Sequence, residues 1–211
     1  MANAKLVLVR HGLSVYNDQN RFTGWKDVPL TDQGKEEAEK AGQLLKKNNV
    51  KIDFVFSSVL QRANKTAEIA LKQTGLEHLW TGENLNMINN ESLNERDYGD
   101  LVGLNKKETA EKFGKEQVHI WRRSYDTPPP NGESLKNVVE RVGPYYEQNI
   151  QPLINEKKNV IIVAHGNSLR ATMIQVGLYK PEEISDIELP TGRPFCIVFA
   201  DNKLEDSFYL S

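Results

Sequence analysis

The sequence is poor in cysteine, in clustered histidines and in long apolar runs, and each shortage excludes a class of protein. A single cysteine, Cys196, excludes an internal disulfide and indicates a reducing compartment. None of the four histidines has metal-ligand spacing to another or to the cysteine, so we expect no metal. No apolar run approaches the ~20 residues of a membrane span or the core of a signal peptide. We therefore expect a soluble, cytoplasmic protein.

A strong excess of either charge is also missing. The 27 Lys and Arg residues against 29 Asp and Glu residues give a formal net charge of −2, so neither a nucleic acid nor a membrane is an expected partner. Any anion chemistry must come from locally gathered basic side chains. The 211 residues, 38% of them hydrophobic, can bury a sizeable core and favour a single catalytic domain spanning 1–211.

Two apolar runs, residues 6–9 and 160–164, each end in a His-Gly pair. Runs without polar alternation are typical of strands buried on both faces of a parallel sheet. Ligands bind at the carboxyl edge of such sheets, where both runs would deliver a histidine, His11 and His165. A lone histidine is more often a hydrogen-bonded core residue, but two such pairs favour a phosphate-handling site. The remaining histidines lack this setting and are expected at the surface: His78 and His119.

The rest of the chain alternates helical and strand patterns. Helices are predicted over 33–47, from Leu60 to Gly75, over 105–113, around 121–123, over 135–146 and from 167 to about 176, and strands over 54–56 and 195–199. Thr31, Asn105, Asn167 and Ser168 are the predicted N-terminal helix caps. Pro144 predicts a kink or a break, and residues 76–104 read as a long functional loop. Strands separated by helices indicate a three-layer α/β/α sandwich with a mostly parallel central sheet.

The chemistry that these residues permit is phosphoryl transfer. A neutral imidazole can attack phosphorus, so His11 is the candidate nucleophile. Arg10, Arg62 and His165 could bind the equatorial oxygens of the transferring group. Glu95 could act as general acid and base if its loop covers the site, in which case desolvation would raise its pKa. On the residues alone, Arg62 could equally be a solvated helix residue, and many other acidic residues compete with Glu95.

Several segments carry a specific resemblance: LVRHGLSVYN, FTGWKDVPLT, SSVLQRANKTA, LNERDYGDLVGLNK, WRRSYDTPPPNGESL and VAHGNSLRA. In this order, over nearly the whole chain, they resemble the cofactor-dependent phosphoglycerate mutases of the histidine phosphatase superfamily. RHG alone marks only the superfamily, whereas ERDYGDL, GLNK and WRR point to the mutase branch. The resemblance implies a phosphoglycerate mutase-like fold, an isomerase of glycolysis and gluconeogenesis, 2,3-bisphosphoglycerate as priming cofactor, and small-molecule phosphoglycerates as partners.

The resemblance also implies roles for individual residues. His11 would become the phosphohistidine and Glu95 the proton donor and acceptor, while Arg10, Arg62 and His165 would line the phosphoryl pocket. The implied substrate-binding residues are Asn17, Thr23, Gly24, Tyr98, Lys106, Arg122, Arg123, Gly166 and Asn167. Because a mutase must retain a bisphosphorylated intermediate while it turns around, cations are expected at both ends of the site.

The sequence departs from the family pattern directly after RHG. Leu13 stands where Glu or Gln is usual, and Val15 with Tyr16 replaces Glu with Trp, whereas Ser14 favours a mutase over the related synthase. A segment after the helix that follows the WRR motif and most of a C-terminal tail are also absent relative to longer members, which predicts more hydrolysis through a shorter lid. The alternatives are a histidine phosphatase acting on a small phosphorylated metabolite and an inactive phosphoglycerate-binding protein. Whether the chain forms a homo-oligomer stays open.

Overall fold

The computed structural model describes residues 3–211, apart from the side chain of Asp186. Its centre is a six-stranded sheet in the order β5-β2-β6-β1-β7-β8. The strands are β1 (Ala4–Arg10), β2 (Phe54–Ser57), β3 (Trp80–Thr81), β4 (Asn84–Leu85), β5 (Met87–Asn89), β6 (Val160–Ala164), β7 (Phe195–Ala200) and β8 (Lys203–Tyr209). The first four strands in the sheet order run parallel, and β7 and β8 add an antiparallel hairpin beside β1. Strands β3 and β4 form a separate small ribbon.

Helices cover both faces of this sheet. They are α1 (Val15–Asp18), α2 (Asp32–Lys47), α3 (Gln61–Thr74), α4 (Lys106–Phe113), α5 (Lys115–Arg123), α6 (Leu135–Asn149), α7 (Gln151–Asn155) and α8 (Gly166–Gln175). Short 3-10 turns lie at Glu77–Leu79, Glu91–Leu93, Gly99–Leu101 and Ile184–Asp186. Between residues 3 and 211, the helices are all too short or too polar to cross a membrane.

The strand β1 shows why its apolar run has no polar alternation. Leu6 and Leu8 pack into a core with residues of α6 and α8, whereas Val7 and Val9 pack into a second core with residues of α2 and α3. All four side chains are buried, because helices cover the sheet on both sides. The predicted three-layer α/β/α sandwich with a mostly parallel sheet is therefore confirmed.

Most predicted helix boundaries have the expected physical cause. The Thr31 hydroxyl accepts the Gly34 N–H at 3.0 Å and begins α2. Asn105 caps α4 by accepting the Lys107 N–H at 2.9 Å. Gly75, at φ +74°, ends α3 in the left-handed region that favours glycine.

Other predictions about the helices need correction. Of the kink or break predicted at Pro144, the break does not occur, because α6 continues to Asn149 with Val142 and Tyr146 buried in the core on either side of the proline. The cap of α8 is His165 rather than Asn167; the Ser168 hydroxyl accepts the His165 N–H at 3.2 Å. In α6, burial of the apolar side chains around Pro144 thus outweighs the loss of the hydrogen bond that the proline nitrogen cannot donate.

Two strand regions went unpredicted. Residues 76–104 contain β3, β4 and β5 in addition to loop, and β8 forms the outer edge of the sheet. Most residues of β8 are exposed, so its polar composition gives little signal of a strand.

Candidate active site

The neighbouring strands β1 and β6 bring the two predicted histidines together. Their parallel register pairs Arg10 with Ala164, so that His11 and His165 follow at the same edge of the sheet. The two rings are buried, with centroids 5.0 Å apart and planes at 60°. The fold thus unites residues that lie far apart in sequence. By contrast, His78 and His119 are exposed, as predicted.

One nitrogen of the His11 ring makes a hydrogen bond and the other is free. Its Nδ1 lies 2.7 Å from the Gly12 carbonyl oxygen, to which it donates, so Nε2 keeps a free lone pair. Burial and the charges of Arg62 and Arg10 hold the pKa of His11 well below its ordinary value, despite the opposing contact with Gly12. The neutral imidazole is therefore the stable form near neutral pH, as nucleophilic attack requires.

The His165 ring is oriented by a buried serine. The Ser58 Oγ accepts the Leu60 N–H at 3.2 Å and shares a hydrogen bond of 2.8 Å with His165 Nε2. The other ring nitrogen, Nδ1, is buried and has no partner among the described residues. Burial, Arg62 and His11 hold the pKa of His165 well below its ordinary value. A neutral imidazole therefore lies beside His11.

Two arginines next to the histidines also have unused donors. Arg62, the second residue of α3, donates to the Lys26 and Gly24 carbonyls at 3.0 and 2.8 Å, and Arg10 donates to Leu189 O at 3.0 Å. In both arginines Nε is buried without a described partner. Burial lowers the pKa of Arg62 to about 10, which leaves it charged near neutral pH. Buried unpaired donors are costly, so an anion that accepts them is strongly favoured.

The predicted acid-base residue, Glu95, does lie over the site, but its pKa moves in the unexpected direction. Burial raises that pKa, yet the net shift is downward. Its Oε1 accepts from Arg96 N at 2.7 Å and from the backbone and side-chain N–H groups of Asn167 at 3.2 and 2.9 Å. Together with the charges of Arg62 and Arg10, these donors favour the carboxylate. The prediction of a raised pKa is therefore wrong.

The segment bearing Glu95 is tied to two other parts of the chain. Trp25 Nε1 donates to the Glu95 carbonyl at 2.7 Å. From α6, Arg141 donates to the Ser92, Asn94 and Glu95 carbonyls at 2.7, 3.1 and 3.0 Å, and its guanidinium forms a two-pronged ion pair with Glu133. The contacts of Trp25 and Arg141 were not predicted, because the sequence does not reveal which carbonyl groups these side chains reach.

The site opens into a cavity of about 150 Å³. Every predicted site residue except His165 lines it, and His165 lies against the His11 ring. Four further residues line it that sequence reasoning missed: Arg21, Phe22, Arg170 and Glu188. Arg170 could have been found, since it lies one helical turn after Gly166 on the same face of α8. Among residues 3–211, no group of His, Cys, Asp and Glu side chains could hold a metal ion.

The outer end of the cavity is basic and is supplied by α4 and α5. Lys106 begins α4, whereas Arg122 and Arg123 end α5. Burial lowers the pKa of Lys106, and Arg122 adds to this effect. Tyr98 also lines the cavity, with the Arg96 guanidinium 4.7 Å from its ring centre. The cavity therefore has cations at both ends and suits a small molecule with two anionic groups.

The motif RHG has a steric cause of its own. A Cβ on Gly12 would lie 2.1 Å from the Gly34 carbonyl oxygen, so β1 can approach α2 only with glycine there. The next residue, Leu13, contributes its backbone: its N–H donates to Glu37 Oε2 at 2.8 Å and its carbonyl accepts from Thr31 N at 2.9 Å. Leu13 does not line the cavity. Its departure from the family pattern therefore leaves the nucleophile's surroundings intact.

Comparison with known proteins agrees with this geometry. The family model of the histidine phosphatase superfamily (branch 1) matches residues 6–205. The curated 2,3-bisphosphoglycerate-dependent phosphoglycerate mutase of Parvibaculum lavamentivorans (strain DS-1) is 51% identical over 189 residues, which cover 90% of this chain and 87% of that protein. The chain belongs to the phosphoglycerate mutase family of the histidine phosphatase superfamily.

Solved structures place the mutase fold in a wider group. Phosphoglycerate mutase from Bacillus anthracis (strain Sterne) has a TM-score of 0.77 at 20% identity, covering 96% of this chain and 91% of that one. Alpha-ribazole phosphatase from Shigella flexneri has a TM-score of 0.79 at 23% identity, covering 98% and 96%. At such identities the likeness concerns the fold alone, which both mutases and phosphatases share.

Proposed function

We propose that this member of the phosphoglycerate mutase family interconverts 3-phosphoglycerate and 2-phosphoglycerate in glycolysis and gluconeogenesis, through a phosphohistidine primed by 2,3-bisphosphoglycerate. The observation that carries the proposal is the pair of basic ends of one cavity, with a neutral histidine nucleophile at the inner end. A phosphatase needs to bind only one phosphate and admit water. A mutase must also hold the second anionic group while the first is transferred.

The inner end suits a phosphoryl group. Arg10 Nε, Arg62 Nε and His165 Nδ1 are buried without a described partner. With the His165 proton on Nδ1, these three atoms donate the hydrogen bonds that three equatorial phosphoryl oxygens require. The first helical residue of α8, Gly166, also lines the cavity, so that backbone N–H groups of a helix N-terminus add to this end. Asn17 completes the inner set. These groups fit a phosphoryl donor such as 2,3-bisphosphoglycerate.

The chemical step then needs one nucleophile and one proton carrier. The phosphoryl group passes from His11 to the substrate: the N–P bond breaks and an O–P bond forms to the substrate hydroxyl oxygen. Glu95 takes the proton of that hydroxyl. In the return transfer His11 Nε2 attacks the other phosphorus, the O–P bond breaks, and Glu95 gives the proton to the freed oxygen. The lowered pKa of Glu95 suits the first of these steps, because it keeps the carboxylate ready to accept a proton.

The outer end would hold the substrate while its two phosphates exchange roles. We assign the second phosphate and the carboxylate to the outer donors Lys106, Arg122 and Arg123, with Tyr98, Thr23, Gly24 and Asn167 completing the contacts. Support comes from the buried Thr23 hydroxyl, which has no described partner, and from the shared cavity. Arginine suits this task because its planar fork binds carboxylate and phosphate with two hydrogen bonds.

We further propose a single catalytic domain over residues 1–211, acting in the cytoplasm on free phosphoglycerates. One continuous sheet carries both histidines and is packed by helices on both sides. The free, buried Cys196 is consistent with a reducing compartment.

The test is an enolase-coupled assay with 3-phosphoglycerate, with and without catalytic 2,3-bisphosphoglycerate, on the wild type and on His11→Ala. A mutase gives flux that depends on the bisphosphate and disappears in His11→Ala. Release of inorganic phosphate without 2-phosphoglycerate would indicate a phosphatase instead. Neither product would indicate a binding protein, and either result would overturn the proposal.

A further inference from the structure

Glu188 is an acidic side chain in a cavity built for anions. It lies just after the 3-10 turn Ile184–Asp186 and lines the cavity together with Arg123 and Arg170. Apart from Glu95, it is the only acidic residue among the described residues that line this cavity. The phosphoryl transfer proposed above gives it no role. A carboxylate at this place also repels the ligand that the neighbouring cations attract.

The partner of this carboxylate is one of the outer cations. Glu188 Oε1 accepts from Arg123 Nη2 at 2.8 Å, while Arg123 Nη1 donates to the Ser185 carbonyl at 3.1 Å. Both terminal nitrogens of Arg123 are thus engaged by residues 185–188. These contacts leave three N–H groups of Arg123, so an anionic ligand that binds Arg123 either shares the guanidinium with Glu188 or displaces Glu188 from it.

The exposure of the Arg123–Glu188 pair indicates that separating it costs little free energy. The Glu188 side chain is 70% exposed and that of Arg123 31% exposed. Ion pairs this open to solvent contribute little stability, because water and salt screen them. Glu188 can therefore leave Arg123 at little cost to the fold, and return when the ligand group moves away.

We propose that Glu188 is a specificity-determining residue that competes with the distal anionic group of the ligand for Arg123. This inference rests on the proposed function, in which Arg123 belongs to the outer end of the site. Because Coulomb repulsion grows with ligand charge, Glu188 weakens binding of the bisphosphorylated ligand more than that of the monophosphorylated one. A weaker hold on the distal group favours turnover of a bisphosphate that must change its orientation in the cavity.

The test compares ligand affinities in a background that cannot transfer phosphate. Isothermal titration calorimetry on His11→Ala and on His11→Ala with Glu188→Gln measures 3-phosphoglycerate and 2,3-bisphosphoglycerate binding directly. Glutamine keeps the shape of the side chain and removes its charge. We expect about three- to tenfold tighter binding of the bisphosphate, a smaller gain for the monophosphate, and a loss of both gains at high salt.

The matched control is Glu182→Gln, which removes the same charge from an exposed residue of the same segment that does not line the cavity. It should change either affinity by less than about twofold. An unchanged ratio of the two affinities in Glu188→Gln, or weaker binding of both ligands, would overturn the role of Glu188 while leaving the proposed function standing. If the His11→Ala parent bound neither ligand, the proposed function would fall and this inference with it.

Discussion

Ser58 and His165 share a buried hydrogen bond of 2.8 Å between Oγ and Nε2. The serine hydroxyl also accepts the Leu60 N–H, so the serine is itself held in place. The bond orients the His165 ring beside His11 and occupies Nε2, which leaves Nδ1 for a ligand. The residue that orients the second histidine lies between β2 and α3 rather than in either histidine motif.

Ser58→Ala should reduce kcat about tenfold or more with a smaller change in KM, because His165 loses the buried hydrogen bond that orients its ring. The matched control is Ser57→Ala. The Ser57 hydroxyl is also buried and donates to the Val163 carbonyl at 2.7 Å, but it does not contact His165. Steady-state kinetics and thermal melts of both variants separate the two effects. Equal losses of kcat would show that the serine acts only through stability.

Arg141 should act as a positioning residue for Glu95. Replacing Arg141 with Ala removes the donors to the Asn94 and Glu95 carbonyls and leaves Glu133 without its cation. We expect a loss of about 3 kcal/mol in the free energy of unfolding and a marked fall in kcat. A double-mutant cycle with Glu133→Ala, followed by urea unfolding, should give a coupling energy of about 1–3 kcal/mol. A coupling energy near zero would contradict the stabilising role of the Arg141–Glu133 ion pair.

Stability should fall when the pH drops below about 6.5, the ordinary pKa of histidine. His11 and His165 have pKa values well below that in the fold, so the unfolded chain takes up protons that the folded chain does not. Each buried neutral histidine then costs about 1.4 kcal/mol of stability per pH unit of acidification, down to its folded pKa. Urea unfolding of wild type and of His165→Asn across this range checks it. An identical slope in both would rule out the neutral His165.

The lowered pKa of Glu95 adds to the same trend at lower pH. Its folded pKa lies below the unfolded one, so its contribution is full above the unfolded pKa and is lost as the pH falls through the folded pKa. Glu95→Gln should remove this part of the acid destabilisation and should also abolish proton transfer. The rate of the enolase-coupled reaction should fall to a small fraction of the wild-type rate. The His11→Ala variant serves as the zero-activity reference. A Glu95→Gln enzyme of normal kcat would exclude Glu95 as the proton carrier.

Gly12→Ala should disrupt the site through packing alone. The new Cβ would lie 2.1 Å from the backbone oxygen of Gly34, which cannot move without shifting α2. We expect a loss of about 1–3 kcal/mol in stability, with displaced His11 and little activity. The comparison variant is Gly143→Ala in α6, where the new Cβ meets only the flexible end of Gln175 at 2.9 Å. Thermal melts should show it stable, since alanine favours helix.

The sequence predicts the frame of the site because strong local signals coincide with it. The apolar runs of β1 and β6, each ending in His-Gly, are visible without any homologue, and Thr31 and Asn105 are ordinary helix caps. The family resemblance identifies the other site residues. Every predicted site residue lines one cavity, except His165, which packs against the His11 ring.

What could not be predicted depends on distances across the fold. A serine after a strand is common, so only the packing of β2 against β6 reveals Ser58 as the partner of His165. The direction of the Glu95 pKa depends on N–H donors that Arg96 and Asn167 bring to it. Glu188 reaches Arg123 from a segment that has no motif of its own. Apart from the N–H of Arg96, the residue next to Glu95, these effects arise from tertiary contacts rather than from local sequence.

The most direct measurement is to expose the protein to 2,3-bisphosphoglycerate labelled with 32P, then to chase with unlabelled 3-phosphoglycerate. The account predicts an acid-labile label on His11 that is absent from His11→Ala and that the chase moves into phosphoglycerates. No label on the protein, or a label that passes only to inorganic phosphate, would contradict it.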